Sequence, residues 1–389
     1  MKHCIIIGIS DNRQQWFPPE VESIIGSSHI FSGGKRHHEI MQPLLPQSHE
    51  WINITVPLST VFEAYRNHES VVVFASGDPL FYGFATTVMR ECPDCVIDIY
   101  PSFNSLQTLA HRLKMPYQDM RCVSLTGRTW DKFDEALIRG EWLIGCLTDH
   151  NKTPGAIWQR MHDYGYDNYR MFVGEKLGNK DEERVTEFKE GTQYANPNCI
   201  LLLQTSKRTV PFGIPDSQFE LLDGREKMIT KMPIRLTTLA ELDLGSRKTF
   251  WDVGFCTGSI SIEAKLRFPH LNVTAFEIRE EGRLLMSKNA RKFGTPGINA
   301  IIGDFLEADL SNLPQPDAVF IGGHGGRLAE MVSRIRQRLA EGGCIVFNSV
   351  SESSRQMFIS AAESNGMRWK ICHQIQTNDN NPITILKAE

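Results

Sequence analysis

Short apolar runs alternate with longer stretches of helical periodicity along most of this chain. In the first half the runs at 4–9, 71–75, 96–100, 142–147, 170–173 and 199–203 predict strands, since brief apolar segments bounded by turn formers mark buried β structure. Strands separated by helical patterns imply an α/β fold with largely parallel sheets. The periodicity fails over 206–229, where Pro211, Gly213, Pro215 and Asp223-Gly224 act as breakers. This places one domain at 1–205, a linker at 206–229 and a second domain at 230–389. In the second domain strands are expected at 249–253, 272–278, 298–303, 318–321, 343–348, 369–376 and 382–387, with helices at 259–267, 280–293, 327–339 and 351–365. The last two strands leave no room for a helix and predict an antiparallel hairpin. Five βα steps and an edge hairpin describe a doubly wound sheet.

A chain of 389 residues exceeds one ordinary core and suits two or three packed units. The formal charge of −4 provides no basic footprint and argues against nucleic-acid binding. No apolar stretch approaches the roughly 20 residues needed to cross a bilayer, and the apolar start is too brief for a secretory signal, so a cytoplasmic protein is expected. Nine cysteines without framework spacing fit a reducing compartment. Cys92 and Cys95 have no second pair at zinc spacing and read as a turn; no metal is expected.

Candidate chemistry concentrates after strand ends, where open α/β sheets bind ligands. Gly254-Phe255-Cys256-Thr257-Gly258 follows the first strand of the second domain, and its glycines permit a close backbone turn. Glu277, about 20 residues on, suits two ribose hydroxyls. Asp304 and Phe305 follow the third strand, at the place for an adenine. With Cys256 at the middle position and the third glycine missing, the dinucleotide cradle is incomplete, which favours a sulfonium nucleoside over NAD. Gly322-Gly323-His324-Gly325-Gly326 follows the fourth strand, a loop able to press against a flat ligand, with His324 as a candidate proton carrier. A flexible connector with a solvated histidine is the alternative. In the first half, Gly77-Asp78-Pro79 after a buried strand forms a sharp turn beside which a polar cofactor group can bind.

Residues 251–259, Glu277, Gly303-Asp304 and 317–326 resemble the decarboxylating precorrin methyltransferases of cobalamin synthesis. The segment Met228-Ile229-Thr230-Lys231 with Arg235 is similar to that family's entry segment, which implies a cofactor contact for Thr230. Cys256 stands where the family has glycine, and His324 where it has a small serine. Residues 76–83 resemble the tetrapyrrole methylase family, which implies two small α/β lobes with S-adenosyl-L-methionine in their cleft. Further likenesses follow in order: Lys35 and Arg36 in a substrate-side loop, Ser102, Asn104 and Ser105 in a loosely matched cofactor region, and Thr148 in the cleft wall. The turn Gly8-Ile9-Ser10 lacks the family's second glycine.

Together the two resemblances imply a two-lobed tetrapyrrole methylase fold followed by a class I methyltransferase sheet. They imply a bifunctional enzyme that methylates precorrin-6B or cobalt-precorrin-6B at C5 and C15 and removes the C12 acetate carboxyl. A carboxylate-rich substrate makes Lys35, Arg36, Lys231, Arg235 and Arg327 candidate anchors, with Gly322, Gly323, Gly325 and Gly326 beside the macrocycle. Relatives' pairing implies a homodimer or higher homo-oligomer. A class I RNA or protein methyltransferase, an NAD-dependent oxidoreductase and a nucleoside sensor remain the alternatives.

Overall fold

The computed structural model describes residues 1–225, 228–377 and 381–389. They form two compact units: 1–128, 142–158 and 169–205 make the first, while 129–141, 159–168 and 206–389 make the second.

The first unit holds two five-stranded sheets. In one, β1 (His3–Ile9), β2 (Ile30–Gly33), β3 (Glu50–Asn53), β4 (Ser70–Ser76) and β5 (Val96–Tyr100) run in the order β3-β2-β4-β1-β5, all parallel. The other comprises β6 (Arg121–Ser124), β7 (Leu143–Leu147), β8 (Tyr169–Glu175), β9 (Arg184–Glu187) and β10 (Asn198–Gln204), ordered β6-β7-β10-β8-β9. Here the expectation of parallel strands needs correction: β10 runs antiparallel to both β7 and β8, and β9 antiparallel to β8. The links between β8, β9 and β10 are too short for the crossover helix that a parallel pair requires.

Four strands, β2, β3, β6 and β9, escape the hydrophobic pattern. Each has only four residues, and β3, β6 and β9 sit at or beside sheet edges, where partial burial dilutes the apolar signal.

The second unit carries one seven-stranded sheet made of β11 (Thr249–Val253), β12 (Asn272–Glu277), β13 (Ile298–Ile302), β14 (Ala318–Ile321), β15 (Cys344–Ser349), β16 (Trp369–Ile375) and β17 (Ile383–Ala388), ordered β13-β12-β11-β14-β15-β17-β16. The first five strands are parallel; β17 is antiparallel to its neighbours β15 and β16, the expected hairpin. Every residue of β11 is buried, and so is every residue of β14, as central parallel strands covered on both faces require. The strand order reverses beside β11, so the carboxyl ends of β11, β12 and β14 meet at the switch point.

Residues 206–229, read above as a linker, contribute to this unit's core. Ile214, Phe219 and Ile229 are buried with Phe255, Ile262 and Met286, and Ile138 from the inserted 129–141 segment joins them. Arg235, at 0% exposed, holds the segment down: it pairs with Glu263, contacts Asp216 at 3.2 Å, and donates to the carbonyls of Thr230 (2.7 Å) and Ile214. Among the described residues, no helix is long and apolar enough to cross a membrane.

Candidate active site

A cavity of about 930 Å³ opens at the carboxyl ends of β11, β12 and β14. Two glycine loops form part of its wall. Gly254 has φ +81°, and a Cβ there would lie 2.6 Å from the Gly323 nitrogen and 2.9 Å from its oxygen. A Cβ on Gly322 would lie 2.8 Å from the Gly254 oxygen. The missing side chains therefore serve, before anything else, to let the two loops pack backbone to backbone. Gly258, φ +76°, precedes the helix Ser259–Arg267 and faces Met286.

Glu277 ends β12 and is 3% exposed. Its Oε2 accepts from the Cys256 amide at 2.8 Å, and Oε1 accepts from the Arg279 amide at 3.1 Å and from Arg279 Nη1 at 2.9 Å. The carboxylate is thus oriented in advance by the turn it faces. Cys256 takes the left-handed conformation, φ +51°, at the position where glycine is usual, and its thiol donates to the Met228 carbonyl at 3.1 Å. Burial, with Glu277 nearby, pushes that thiol up to about 11, so it stays protonated and keeps the hydrogen this contact needs. The side chain that breaks the glycine pattern consequently fastens the 228–230 segment to the loop.

Asp252, inside β11, is the residue that sequence reading passed over. It is 0% exposed and borders the cavity. Ser261 donates to its Oδ2 at 2.6 Å, whereas Oδ1 has no partner among the described residues. The Thr257 hydroxyl, 1% exposed and also at the cavity, is likewise unpartnered. Two buried orphans at one wall are polar capacity for a ligand. The signal was an acid inside an otherwise apolar strand.

Burial raises the Asp252 carboxyl to about 7. A folded-state value raised above the unfolded one stabilises the fold fully below about 4, and that contribution is lost as pH rises through 7. Asp252→Asn removes the titration. Its stability relative to the wild type is expected to improve by on the order of 2–4 kcal/mol between pH 4 and pH 8 in urea melts; a difference that stays constant with pH would refute this.

His324 lines the cavity, its ring edge-on to Phe347 at 5.8 Å. Its Nδ1 accepts from the Gly326 amide at 3.1 Å, so Nε2 carries the hydrogen of the neutral ring. Burial lowers its pKa below the usual 6.5. At neutral pH it is therefore a neutral imidazole, not the imidazolium that a strong general acid would be.

The structure brings Thr230, Lys231, Gly254, Phe255, Cys256, Thr257, Glu277, Asp304, Phe305, Gly322, Gly323, His324, Gly325 and Arg327 to this one cavity. Asp304 and Arg327, given separate roles in the sequence reading, pair with each other at 3.0 Å, and Arg327 also binds Glu330. Gly258 and Gly326 are not at the wall. Arg235 is corrected from substrate anchor to buried brace: its guanidinium is sealed from solvent and spent on protein acceptors.

In the first unit, Gly77 has φ +63°, and a Cβ on it would lie 2.8 Å from Asn104 Cα, which sets the Gly77-Asp78-Pro79 turn against the 102–105 turn. The Ser102 amide donates to the Gly77 carbonyl at 3.3 Å. Asp78 Oδ1 accepts from the Leu80 amide at 2.9 Å, a contact that shapes its own turn. Asn104 caps the helix Ser105–Arg112, exchanging hydrogen bonds with Gln107 at 2.9 and 3.0 Å, so its amide oxygen is committed to the fold. Thr148 donates to Asn198, and Ser105 bonds the Cys199 thiol, tying both to β10. Lys35 is exposed, while Arg36 reaches Ser76 at the end of β4.

The strand order and the glycine-lined cavity at the switch point define the second unit as a class I methyltransferase fold. Sequence profiles of the Tetrapyrrole (Corrin/Porphyrin) Methylases and of the Precorrin methyltransferase domain match residues 4–192 and 222–387. The Precorrin-6Y C(5,15)-methyltransferase [decarboxylating] of Sinorhizobium sp is 32% identical over 355 residues, covering 89% of this chain and 84% of that protein. The Cobalt-precorrin-6B C(15)-methyltransferase (decarboxylating) of Salmonella typhimurium is 32% identical over 162 residues, 42% of this chain and 83% of that protein. A precorrin-6Y C5,15-methyltransferase structure from Geobacter metallireducens GS-15 covers 46% of this chain and 99% of its own at 30% identity, with a TM-score of 0.43. The chain belongs to the family of decarboxylating precorrin-6Y C5,15-methyltransferases.

Proposed function

We propose that this chain adds two methyl groups to one precorrin-type tetrapyrrole, at C5 through the first unit and at C15 through the second, where the C12 acetate carboxyl leaves as carbon dioxide. S-adenosylmethionine is the proposed donor for both. The observation that carries the reading is the cavity at the switch point of the second unit, with Glu277 fixed at its wall and Asp252 and Thr257 left unpartnered there. Glu277 suits a ribose diol, and the unpartnered Asp252 oxygen suits an ammonium or sulfonium charge. Those residues fit the donor.

When bound, the donor supplies an electrophilic methyl group. The protein's own task is then to hold an electron-rich ring carbon in line and keep water out. The two packed glycine loops give a backbone surface for a macrocycle, and Lys231 brings positive charge to the wall, whereas Arg327 is already held by Asp304 and Glu330. As the carboxylate departs, its electron pair passes into the conjugated ring, and a proton must later return to carbon. His324 can carry that proton only after first taking one up from solvent as imidazolium, because a neutral ring that gave up its Nε2 hydrogen would be left as imidazolate.

Mixing the protein with precorrin-6B and S-adenosylmethionine should give a product heavier by two methyl groups and lighter by one carbon dioxide; a product with neither change would end this reading. His324→Ala should slow formation of the decarboxylated, reprotonated product by about 10²-fold while leaving S-adenosylhomocysteine affinity within a factor of two or so. Equal loss of both would remove His324 from the chemistry.

A further inference from the structure

At the end of β4, just before the Gly77 turn, two side chains from adjacent positions far back in the sequence converge on one hydroxyl. Arg36 Nη2 donates to Ser76 Oγ at 2.9 Å, and His37 Nε2 lies 2.9 Å from the same oxygen. The Gly34 amide donates to His37 Nδ1 at 3.2 Å, so Nδ1 carries no hydrogen and Nε2 does. Burial and the adjacent Arg36 hold the His37 pKa down to about 4, so the ring is neutral and its tautomer fixed near neutral pH.

This is not a nucleophile and its base. A histidine that donates to a serine cannot take that serine's proton. With both oxygen lone pairs facing N–H groups, the hydroxyl hydrogen of Ser76 must point to a third acceptor, and two donors on the oxygen strengthen it as a donor. Ser76 is exposed. Arg36 Nη1 stands 3.7 Å from Asp11 Oδ1, outside hydrogen-bond reach, and that oxygen, on a residue only 9% exposed, has no partner among the described residues. Asp11 thereby steers the guanidinium without saturating it.

We propose that the Ser76 hydroxyl and the Arg36 guanidinium form a carboxylate-binding subsite beside the Gly77-Asp78-Pro79 turn, with His37 as the positioning residue that aims the hydroxyl. The Ser76 hydroxyl and the Arg36 guanidinium stand side by side as donors, with the buried Asp11 carboxylate 3.7 Å from the guanidinium, and the planar guanidinium matches a planar carboxylate. This inference rests on the proposed methyl transfer by the first unit. The carboxylate is either an arm of the tetrapyrrole or the amino-acid end of the methyl donor.

Full-length Ser76→Ala, Arg36→Gln and His37→Ala proteins separate these sources, with Ser76→Thr as the rescue that restores the hydroxyl. If the tetrapyrrole supplies the carboxylate, Ser76→Ala and Arg36→Gln raise KM for C5 methylation by about tenfold with kcat nearly unchanged. His37→Ala raises it less, Ser76→Thr restores it, and S-adenosylhomocysteine titrates as in the wild type. If the donor supplies it, calorimetry shows about tenfold weaker S-adenosylhomocysteine binding but unaltered binding of 5′-methylthioadenosine, which lacks the carboxylate. Unchanged KM and unchanged titrations in Ser76→Ala and Arg36→Gln proteins that melt like the wild type would overturn the subsite. A wild type unable to methylate C5 would instead sink the parent reading.

Discussion

Replacing Arg235 with alanine is expected to destabilise the second unit by about 3–5 kcal/mol, the cost of stranding a buried charge. Arg235 is 0% exposed and its guanidinium stacks over Phe219 at 5.1 Å. Its partner Glu263 also accepts from the amides of Gly213 at 2.7 Å and Ile214 at 3.1 Å. Losing the arginine leaves that carboxylate uncompensated, and it frees the 214–230 segment that brings Thr230 to the cavity. A double replacement of Arg235 and Glu263 by methionine should recover part of the loss, since it removes both charges together. Urea unfolding of the full chain, followed by tryptophan fluorescence, measures the difference. A loss under about 1 kcal/mol would contradict the brace assignment, and a raised KM in a fully stable Arg235→Ala protein would return the residue to the substrate.

Glu277→Ala should weaken donor binding in the second unit by about 2–3 kcal/mol, or about 30- to 150-fold. Two effects add. The carboxylate acceptors are lost, and the Cys256 amide and Arg279, both oriented by Glu277, are left without that partner. Glu277→Gln retains an acceptor for the amide at nearly the same volume and is expected to lose less, which separates ligand binding from collapse of the turn. Titration with S-adenosylhomocysteine decides: affinity unchanged in both variants would dismiss Glu277 as a ligand.

How far the sequence could be read depended on burial. The strands at 249–253 and 318–321 were legible to the residue, because central parallel strands covered on both faces read as mainly apolar runs, the first interrupted only by Asp252 after its opening threonine. The four-residue strands β2, β3, β6 and β9 were not, since so short and partly polar a run resembles a loop. The direction of β10 was also hidden. Antiparallel pairing there follows from connection length, which becomes a constraint only once the neighbouring strands are known.

Within the candidate site the same division holds. Gly254, Cys256, Glu277, Asp304 and the 322–325 loop could be singled out from their places after strand ends, and they do share a cavity. Which of them hold each other was not visible: Asp304 with Arg327, Glu277 with the Cys256 amide, Gly254 against Gly323. Arg235 looked like a surface cation because charge in a sequence carries no record of depth.

By itself the sequence determined the order of the strands of the second unit's sheet and of the helices between them, though not the helix Met232–Glu241 before them, together with its glycine turns and the acid that follows them, all set by local periodicity and backbone freedom. The tertiary structure alone decided what each polar group is free to do. Arg235 is consumed by the core, Asp252 is stranded beside a cavity, and Ser76 is turned outward by residues 39 and 40 positions away. The reason is physical: a side chain's protonation and hydrogen-bonding capacity depend on burial and on neighbours distant in sequence, and folding brings those neighbours together.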